Sequence, residues 1–382
     1  MIDLCIPYVS GNEIKYIEEA LKNKKIAGLG PFAKKCQTFF EERYGFKKCL
    51  LTTSCTDALE MTALLLNILP GDEVIMPSYT FVSTANAFEL RKASIIFADT
   101  KADFPVIDET KIEALITKRT KAIIVVHYAG VSCDMDVIMD LAKKYNLIVI
   151  EDAAQAIDAY YKGNALGSIG HMSTFSFHET KNIIAGECGM LVINEERFIN
   201  RAEIILEKGT NRSAFLKGEV DKYGWVEVGS SFLSSELVNS FLYGQLLELE
   251  NIQRKRLEIW NLYKKNLLQL AENGSLQLPH LPSYSTHNGH IFFLVCKSSN
   301  ERTGLMKYLK ENGISTAFHY LSLHSSAYFA SKYKGAELVN SDMFTDQLLR
   351  LPLHMYLENT DVEYITNCIS SFFFKNLKNQ IK

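Results

Sequence analysis

Several things are missing from this sequence, and each absence excludes a class of function. No stretch approaches the roughly 20 apolar residues that a membrane span requires. Met1 to Ser10 carries an acid and a proline and lacks a basic region followed by an apolar one, so it does not read as a signal peptide. There is no basic tail or long Lys/Arg run, and the net charge is −3, which gives no support to a nucleic-acid or anionic-membrane partner. The eight cysteines (Cys5, Cys36, Cys49, Cys55, Cys133, Cys188, Cys296 and Cys368) contain no C-x-x-C pair. That spacing argues against a metal site or a disulfide framework and fits buried thiols in a reducing cytoplasm. Neither G-x-G-x-x-G nor G-x-x-x-x-G-K-[ST] occurs, so a Rossmann dinucleotide site or a P-loop is not expected. No low-complexity segment or internal repeat is present.

What remains is 382 residues of ordinary globular composition, 47% hydrophobic and 22% charged. That length allows two or three units, each with its own core. From Lys48 to Asn194 short apolar runs alternate with helical patterns. Strands are expected at Lys48–Thr52, Glu73–Met76, Ser94–Ala98, Ala122–Val126, Leu147–Ile150, Met172–Phe177 and Met190–Ile193, with helices at Thr56–Leu66 and Val82–Leu90. This is the pattern of an α/β domain with a mostly parallel sheet covered on both faces. Ser234 to Glu272 reads as one long helix or a broken pair. Ile291–Cys296, Glu301–Glu311, Ser315–Phe318 and Asp361–Phe374 read as a smaller α+β unit. The expected division is 1–250 for the large domain and 251–382 for the small one.

Four segments carry possible chemistry. Ile148-Val149-Ile150-Glu151-Asp152 ends a strand in two acids, and in an open α/β sheet ligands sit beyond the carboxyl ends of strands. An acid in such a place is also a common helix cap. Phe175-Ser176-Phe177-His178-Glu179-Thr180-Lys181-Asn182 runs a strand into a polar turn. A lysine there can lose its charge by desolvation and become nucleophilic, although most lysines are solvated. Thr52 to Leu59 joins a strand to a helix with hydroxyls and free amides suited to a phosphate, or to a plain cap. Met76-Pro77-Ser78-Tyr79-Thr80-Phe81 puts aromatics just past a strand, where one could stack on a flat heterocycle or simply join the core.

In their order and spacing, Ser54-x-Thr56-x-Ala58-Leu59, Pro77-Ser78-Tyr79-Thr80-Phe81, Glu151-Asp152-Ala153-Ala154-Gln155 and Phe175-Ser176-Phe177-His178-x-x-Lys181-Asn182 resemble the DegT/DnrJ/EryC1/StrS sugar aminotransferases. The resemblance runs from Ile6-Pro7 and Gly28-Leu29-Gly30-Pro31 to Arg350-Leu351-Pro352-Leu353. It implies the aspartate-aminotransferase fold, a pyridoxal 5′-phosphate (PLP) cofactor and ping-pong transfer, with pyridoxamine phosphate formed midway. Lys181 would hold the cofactor and move protons, Asp152 would pair with the pyridine nitrogen, and Phe81 would stack on the ring. Gln155 would lie near the phenolic oxygen, with Cys55, Thr56 and Ser176 on the phosphate. The family's usual Gly-x-Asn-x-Arg stretch from the neighbouring subunit is here Gly229-Ser230-Ser231-Phe232-Leu233, so Ser231 stands for the Asn. Its usual Glu-Gly-Gly after the lysine is Glu187-Cys188-Gly189.

Within the family, segments such as Val126-His127-Tyr128-Ala129-Gly130 and Glu207 to Ser213 resemble the subgroup that makes dTDP-4-amino-4,6-dideoxygalactose. The implied reaction moves the amino group of L-glutamate onto dTDP-4-keto-6-deoxyglucose, in a cytoplasmic homodimer that serves a cell-surface polysaccharide such as lipopolysaccharide. Gly28, Leu29, His127, His178, Glu187 and His319 are the substrate candidates. For His127, His319 and His324 a core-satisfied or solvated role is the default, and a simple turn explains the Gly28 loop equally well. The same chemistry at sugar C3 and a non-catalytic PLP-binding regulator remain as alternatives. The family's dehydratases hold histidine where Lys181 stands, which argues against dehydration.

Overall fold

The computed structural model describes residues 1–380, with side chains through Phe374. Seven of its strands form one sheet: β1 (Lys48–Thr52), β2 (Glu73–Pro77), β3 (Ser94–Ala98), β4 (Thr120–Val126), β5 (Ile148–Asp152), β8 (Met172–Ser176) and β9 (Gly189–Ile193). Two short strands, β6 (Tyr160–Tyr161) and β7 (Asn164–Ala165), make a separate hairpin. The sheet order is β1-β9-β8-β5-β4-β2-β3. β3, β2, β4, β5 and β8 pair in parallel, and β9 runs antiparallel to both β8 and β1. The sheet is therefore mostly parallel, as expected.

Its strands are apolar on both sides because both faces are covered, and side chains alternate between the two. Ile75, Ile123, Val125 and Val149 enter one core, while Val74, Met76, Ile124 and Ile150 enter the other. Such full burial contributes about 1.5–3 kcal/mol per large side chain, so a one-residue slip of register would be costly.

The expected long helix is a broken pair, Glu236–Leu246 and Leu249–Glu272. The second helix starts in the core of the large sheet with Leu249 and Ile252. It continues with Ile259, Trp260, Tyr263 and Leu267 into a third core. That core is roofed by a two-stranded antiparallel sheet, β10 (Phe292–Val295) and β11 (Leu348–Leu351). It is closed by the helices Ser299–Glu311 and Asn359–Gln380. β11 was not anticipated, and Ser315–Phe318 provides only an isolated bridge from Ala317 to Arg350. The chain's start packs on this unit too, where Ile2 bridges to Ile314. No helix among the described residues is long and apolar enough to cross a membrane.

Two early helices, α1 (Asn12–Lys22) and α2 (Pro31–Tyr44), pack on the helix Glu236–Leu246. The fully buried Glu236 carboxylate caps α2, accepting from Phe32 N (2.7 Å) and Ala33 N (2.9 Å). A Cβ at Gly30 would lie 2.4–2.6 Å from that carboxylate group, which explains the glycine.

Candidate active site

A cavity of about 470 Å³ opens beyond the carboxyl ends of β4, β5 and β8, under the small sheet. It falls in the usual size range for small-molecule sites. Its floor is made by strand ends and helix starts. β5 delivers two neighbouring acids to opposite faces, as strand alternation requires. Asp152 faces the cavity, 5% exposed, accepting from Thr84 Oγ1 (2.7 Å) and Ala154 N (3.2 Å). Glu151 faces away and is fully buried, bonded to the amides of Gly167 (2.8 Å), Ile169 (2.9 Å) and Gly170 (2.6 Å).

No cation lies within ion-pair distance of Asp152 among the described residues, and burial raises its pKa. Thr84, Ala154 and the Lys181 charge oppose that rise. A buried carboxylate in this state is costly unless a cationic group meets it in the cavity.

Lys181 follows β8 in a polar turn, with its N–H bonded to His178 O. Burial lowers the pKa of its amine, which Cys55 and Asp152 oppose. A cavity-facing amine with a lowered pKa is a nucleophile and a proton carrier. At the other end of the floor is α3 (Cys55–Leu65). Ser54 caps it by accepting from Asp57 N (3.0 Å), and the amides of Cys55 and Thr56 precede the first intrahelical bonds. Thr56 Oγ1 donates to Ser83 Oγ (2.8 Å), and Ser176 lines the same side. A Cβ on Gly189 would lie 2.3 Å from Cys55 N, so only glycine lets β9 pass this close behind the helix start. This is an anion cradle.

Phe81, just ahead of α4 (Val82–Glu89), is 55% exposed at the mouth, with its ring 5.9 Å from that of Tyr320. Gln155 is buried, accepts from Ala129 N (2.7 Å) and donates to Tyr320 Oη (2.9 Å). His178 and Glu187 stand at the rim, with His178 Nε2 3.6 Å from Glu187 Oε1. His319 lines the roof, its Nδ1 3.0 Å from Tyr128 Oη.

Five residues singled out from the sequence lie elsewhere. His127 is fully buried below the floor, with Nε2 2.8 Å from Glu151 Oε2 and Nδ1 accepting from Cys133 N (3.4 Å). Its candidacy as a substrate residue is corrected accordingly, and the default of a core-satisfied histidine describes it. Val126 pairs with Asp152 and lines the cavity, so the next residue, just past β4, turns the other way. Gly28 packs against Leu233 and Ser234 O, and the exposed Leu29 follows it. Neither lines the cavity of this chain. Ser231 is exposed, in a bridge with Glu207. His324 is buried against Ser78 Oγ (2.8 Å). Arg350 on β11 and His290, not predicted from sequence, also line the cavity, as does Tyr320 beside the candidate His319. The Arg350 motif was noticed only as the end of the resemblance.

The cavity suits PLP on these observations. The anion cradle matches its phosphate, the uncompensated Asp152 its protonated pyridine nitrogen, the amine of Lys181 its carbonyl carbon, and Phe81 its ring face.

Comparison with known proteins agrees. The model of the DegT/DnrJ/EryC1/StrS aminotransferase family matches residues 7–370. An uncharacterized protein of Methanocaldococcus jannaschii is 32% identical over 378 residues, 97% of each chain. The spore coat polysaccharide biosynthesis protein SpsC of Bacillus subtilis is 31% identical over 373 residues, 95% of each. Among solved structures, the aminotransferase TlmJ of Streptoalloteichus hindustanus superposes with a TM-score of 0.90 at 26% identity, covering 99% of this chain and 100% of that one. The chain belongs to the DegT/DnrJ/EryC1/StrS aminotransferase family and is a PLP-dependent sugar aminotransferase.

Proposed function

We propose that this enzyme moves the amino group of L-glutamate onto dTDP-4-keto-6-deoxyglucose, giving dTDP-4-amino-4,6-dideoxygalactose for a cell-surface polysaccharide. The observation that carries the reading is a lysine of lowered pKa sharing one cavity with a buried, uncompensated carboxylate and a helix-start anion cradle. The choice of sugar rests on the subgroup resemblance around Val126 to Gly130 and Glu207 to Ser213. The polysaccharide rests on the name of the B. subtilis relative.

The residues divide the work. Bound PLP would supply an electron sink at the carbon that loses its proton. Asp152 would hold the pyridine nitrogen in its charged form. Lys181 would hold the cofactor and move the Cα proton, as base and then as acid. Thr84 fixes the rotamer of Asp152 through its 2.7 Å bond. Cys55 and Thr56 amides, with the Thr56 and Ser176 hydroxyls, hold the phosphate. Gln155 and Phe81 orient the ring. His178, Glu187 and His319 form the wall met by the substrates.

Ser231 is exposed and off its own cavity. It fits a homodimer in which it completes the neighbour's phosphate site. All eight cysteines are free, which fits the cytoplasm. The large domain is taken as 1–250 and the small one as 251–382, of which residues 381 and 382 lie outside the described ones.

The test is turnover of the PLP-loaded enzyme with L-glutamate and dTDP-4-keto-6-deoxyglucose, with the product's amino carbon assigned by NMR. An amine at C4 with the galacto configuration is the expected product. An amine at C3, or no turnover of any keto-sugar, would contradict the reading.

A further inference from the structure

The roles above leave unused the residue that follows Lys181. Asn182 is buried and does not line the cavity. Its side-chain amide is nevertheless engaged at both ends. Nδ2 donates to Gln253 Oε1 (2.8 Å) and to Asn288 O (2.9 Å), and Oδ1 lies 2.8 Å from His290 Nδ1. Gln253 belongs to the helix Leu249–Glu272, and Asn288 and His290 lead into β10. Asn288 reaches on to the segment after β5, donating from Nδ2 to Gln155 O (2.8 Å) and Ile157 O (2.7 Å). One buried amide thus joins the Lys181 turn to the long helix and to the entry of the small sheet.

The turn has no second tie of this kind. Among the described residues, the other hydrogen bonds of 178–185 stay inside 176–186. Glu179 N donates to Gly186 O (3.0 Å), Lys181 N to His178 O (2.9 Å) and Ala185 N to Phe177 O (2.7 Å), while the rest join Ser176, His178 and Thr180. Ile183 is buried too, but apolar packing is non-directional.

The same bonds fix the state of His290. A backbone carbonyl only accepts, so the end of Asn182 that meets Asn288 O is its NH2. The other end is the carbonyl oxygen, and His290 Nδ1 must carry the proton that this oxygen accepts. Burial, then the Lys181 charge, hold His290 well below the ordinary histidine range, so the ring has one proton. His290 lines the cavity, and Nε2 is left there as an acceptor.

We propose that Asn182 is a positioning residue for transamination, clamping its turn so that the Lys181 amine returns to one place in each half-reaction, and locking His290 with its proton on Nδ1. The amine must reach the same carbons in both halves, and a displacement of about 1 Å can cost roughly 100-fold in rate. The donor and sugar used to test this rest on the reading above.

The test compares wild type, Asn182→Ala and Asn194→Ala. Asn194 is the control, because its amide also donates to two carbonyls, Gly167 O and Gly170 O (both 2.8 Å), neither of which lines the cavity. Single turnovers of the PLP-loaded protein with L-glutamate, and of the pyridoxamine phosphate form with the keto-sugar, give a saturating rate and a half-saturating concentration for each half. In Asn182→Ala both saturating rates should fall roughly 10–100-fold, with half-saturation within about threefold and borohydride still fixing the cofactor to Lys181. Asn194→Ala should keep its rates within about threefold. Equal rates in the two variants would reduce Asn182 to a structural role and overturn the proposal. A second readout needs neither cofactor nor reaction: nitrogen NMR of the ¹⁵N-histidine-labelled protein, with His290 assigned by its loss in His290→Gln. Wild type should show the His290 proton on Nδ1 alone, and Asn182→Ala should share it between the two nitrogens. A wild-type proton on Nε2 would overturn the lock even if Asn182→Ala did not fold. A wild type that accepts no keto-sugar would sink the sugar reading, while the L-glutamate half and the NMR still judge Asn182.

Discussion

The floor and the roof of this cavity are built on different terms. On the floor, apart from the Lys181 amine, the polar groups that face the cavity are held by partners inside the protein. Asp152 is held by Thr84 and Ala154, Gln155 by Ala129 and Tyr320, and Ser54 by Asp57. These groups sit at the ends of parallel strands with cores on both faces. The roof is a sheet of two strands, and it keeps an unpartnered Arg350 beside His290 and His319, which burial holds neutral. A rigid, satisfied surface suits a group that stays bound through both halves of a reaction, and pre-set dipoles there need no rearrangement. A surface with an unspent cation suits ligands that come and go. The comparison fits the proposed division, with the cofactor on the floor and the exchange of substrates at the roof.

The largest effect should follow removal of the floor's amine. Lys181→Ala should lower transamination by more than about 10⁴-fold while the protein still binds PLP through its phosphate, as read by equilibrium dialysis. Normal turnover in that variant would break the division at once. Asp152→Asn should slow both half-reactions alike, by roughly 10²–10³-fold, with an unaltered circular dichroism spectrum. A defect in only one half would mean that Asp152 belongs with the exchanging groups.

Its neighbour sharpens the contrast. Glu151→Gln removes a buried anion bonded to three amides and His127, and should cost about 2–3 kcal/mol of stability. The denaturant midpoint would report this, and the folded enzyme should keep its rate within a few-fold. A large catalytic loss would show that the two faces of β5 are not separate in function.

The smallest effect concerns pH. Burial, then the charges of Lys181, Arg256 and Arg350, hold His290 well below the ordinary histidine range, so it is neutral when folded. The unfolded chain binds a proton there below about pH 6.5. It then carries more protons than the folded one, so stability falls as pH drops from about 6.5, by at most about 1.4 kcal/mol per unit for one histidine. His290→Gln should show a shallower fall between pH 6.5 and 5. An identical slope would mean that His290 is already protonated in the fold.

The two surfaces also differ in how far the sequence revealed them. Floor residues are local: a strand and the turn after it contain Asp152 and Gln155, or Ser176 and Lys181, within a few positions. Apolar strands between helices gave the sheet its parallel character in advance. His127 stood among the substrate candidates although strand alternation favours its default core role, because Val126 and Asp152 share one face and His127 must join Glu151 on the other. The roof is assembled from positions far apart, 290, 319, 320 and 350. β11 is only four residues long, and Arg350 is a single polar residue within Leu348-Leu349-Arg350-Leu351. A lone charge in a short apolar run is a weak signal on its own, and only packing against β10 gives it meaning. The Gly28-Leu29-Gly30-Pro31 motif was legible as a turn, but its reason, room for the Glu236 carboxylate and the Leu233 side chain, lies some 200 residues away.

The most direct test of the account is the visible spectrum of the PLP-loaded protein through one complete cycle. The account predicts a yellow band that borohydride fixes to Lys181, that L-glutamate removes, and that dTDP-4-keto-6-deoxyglucose restores. A band that forms but does not respond to L-glutamate, or no band at all, would contradict it.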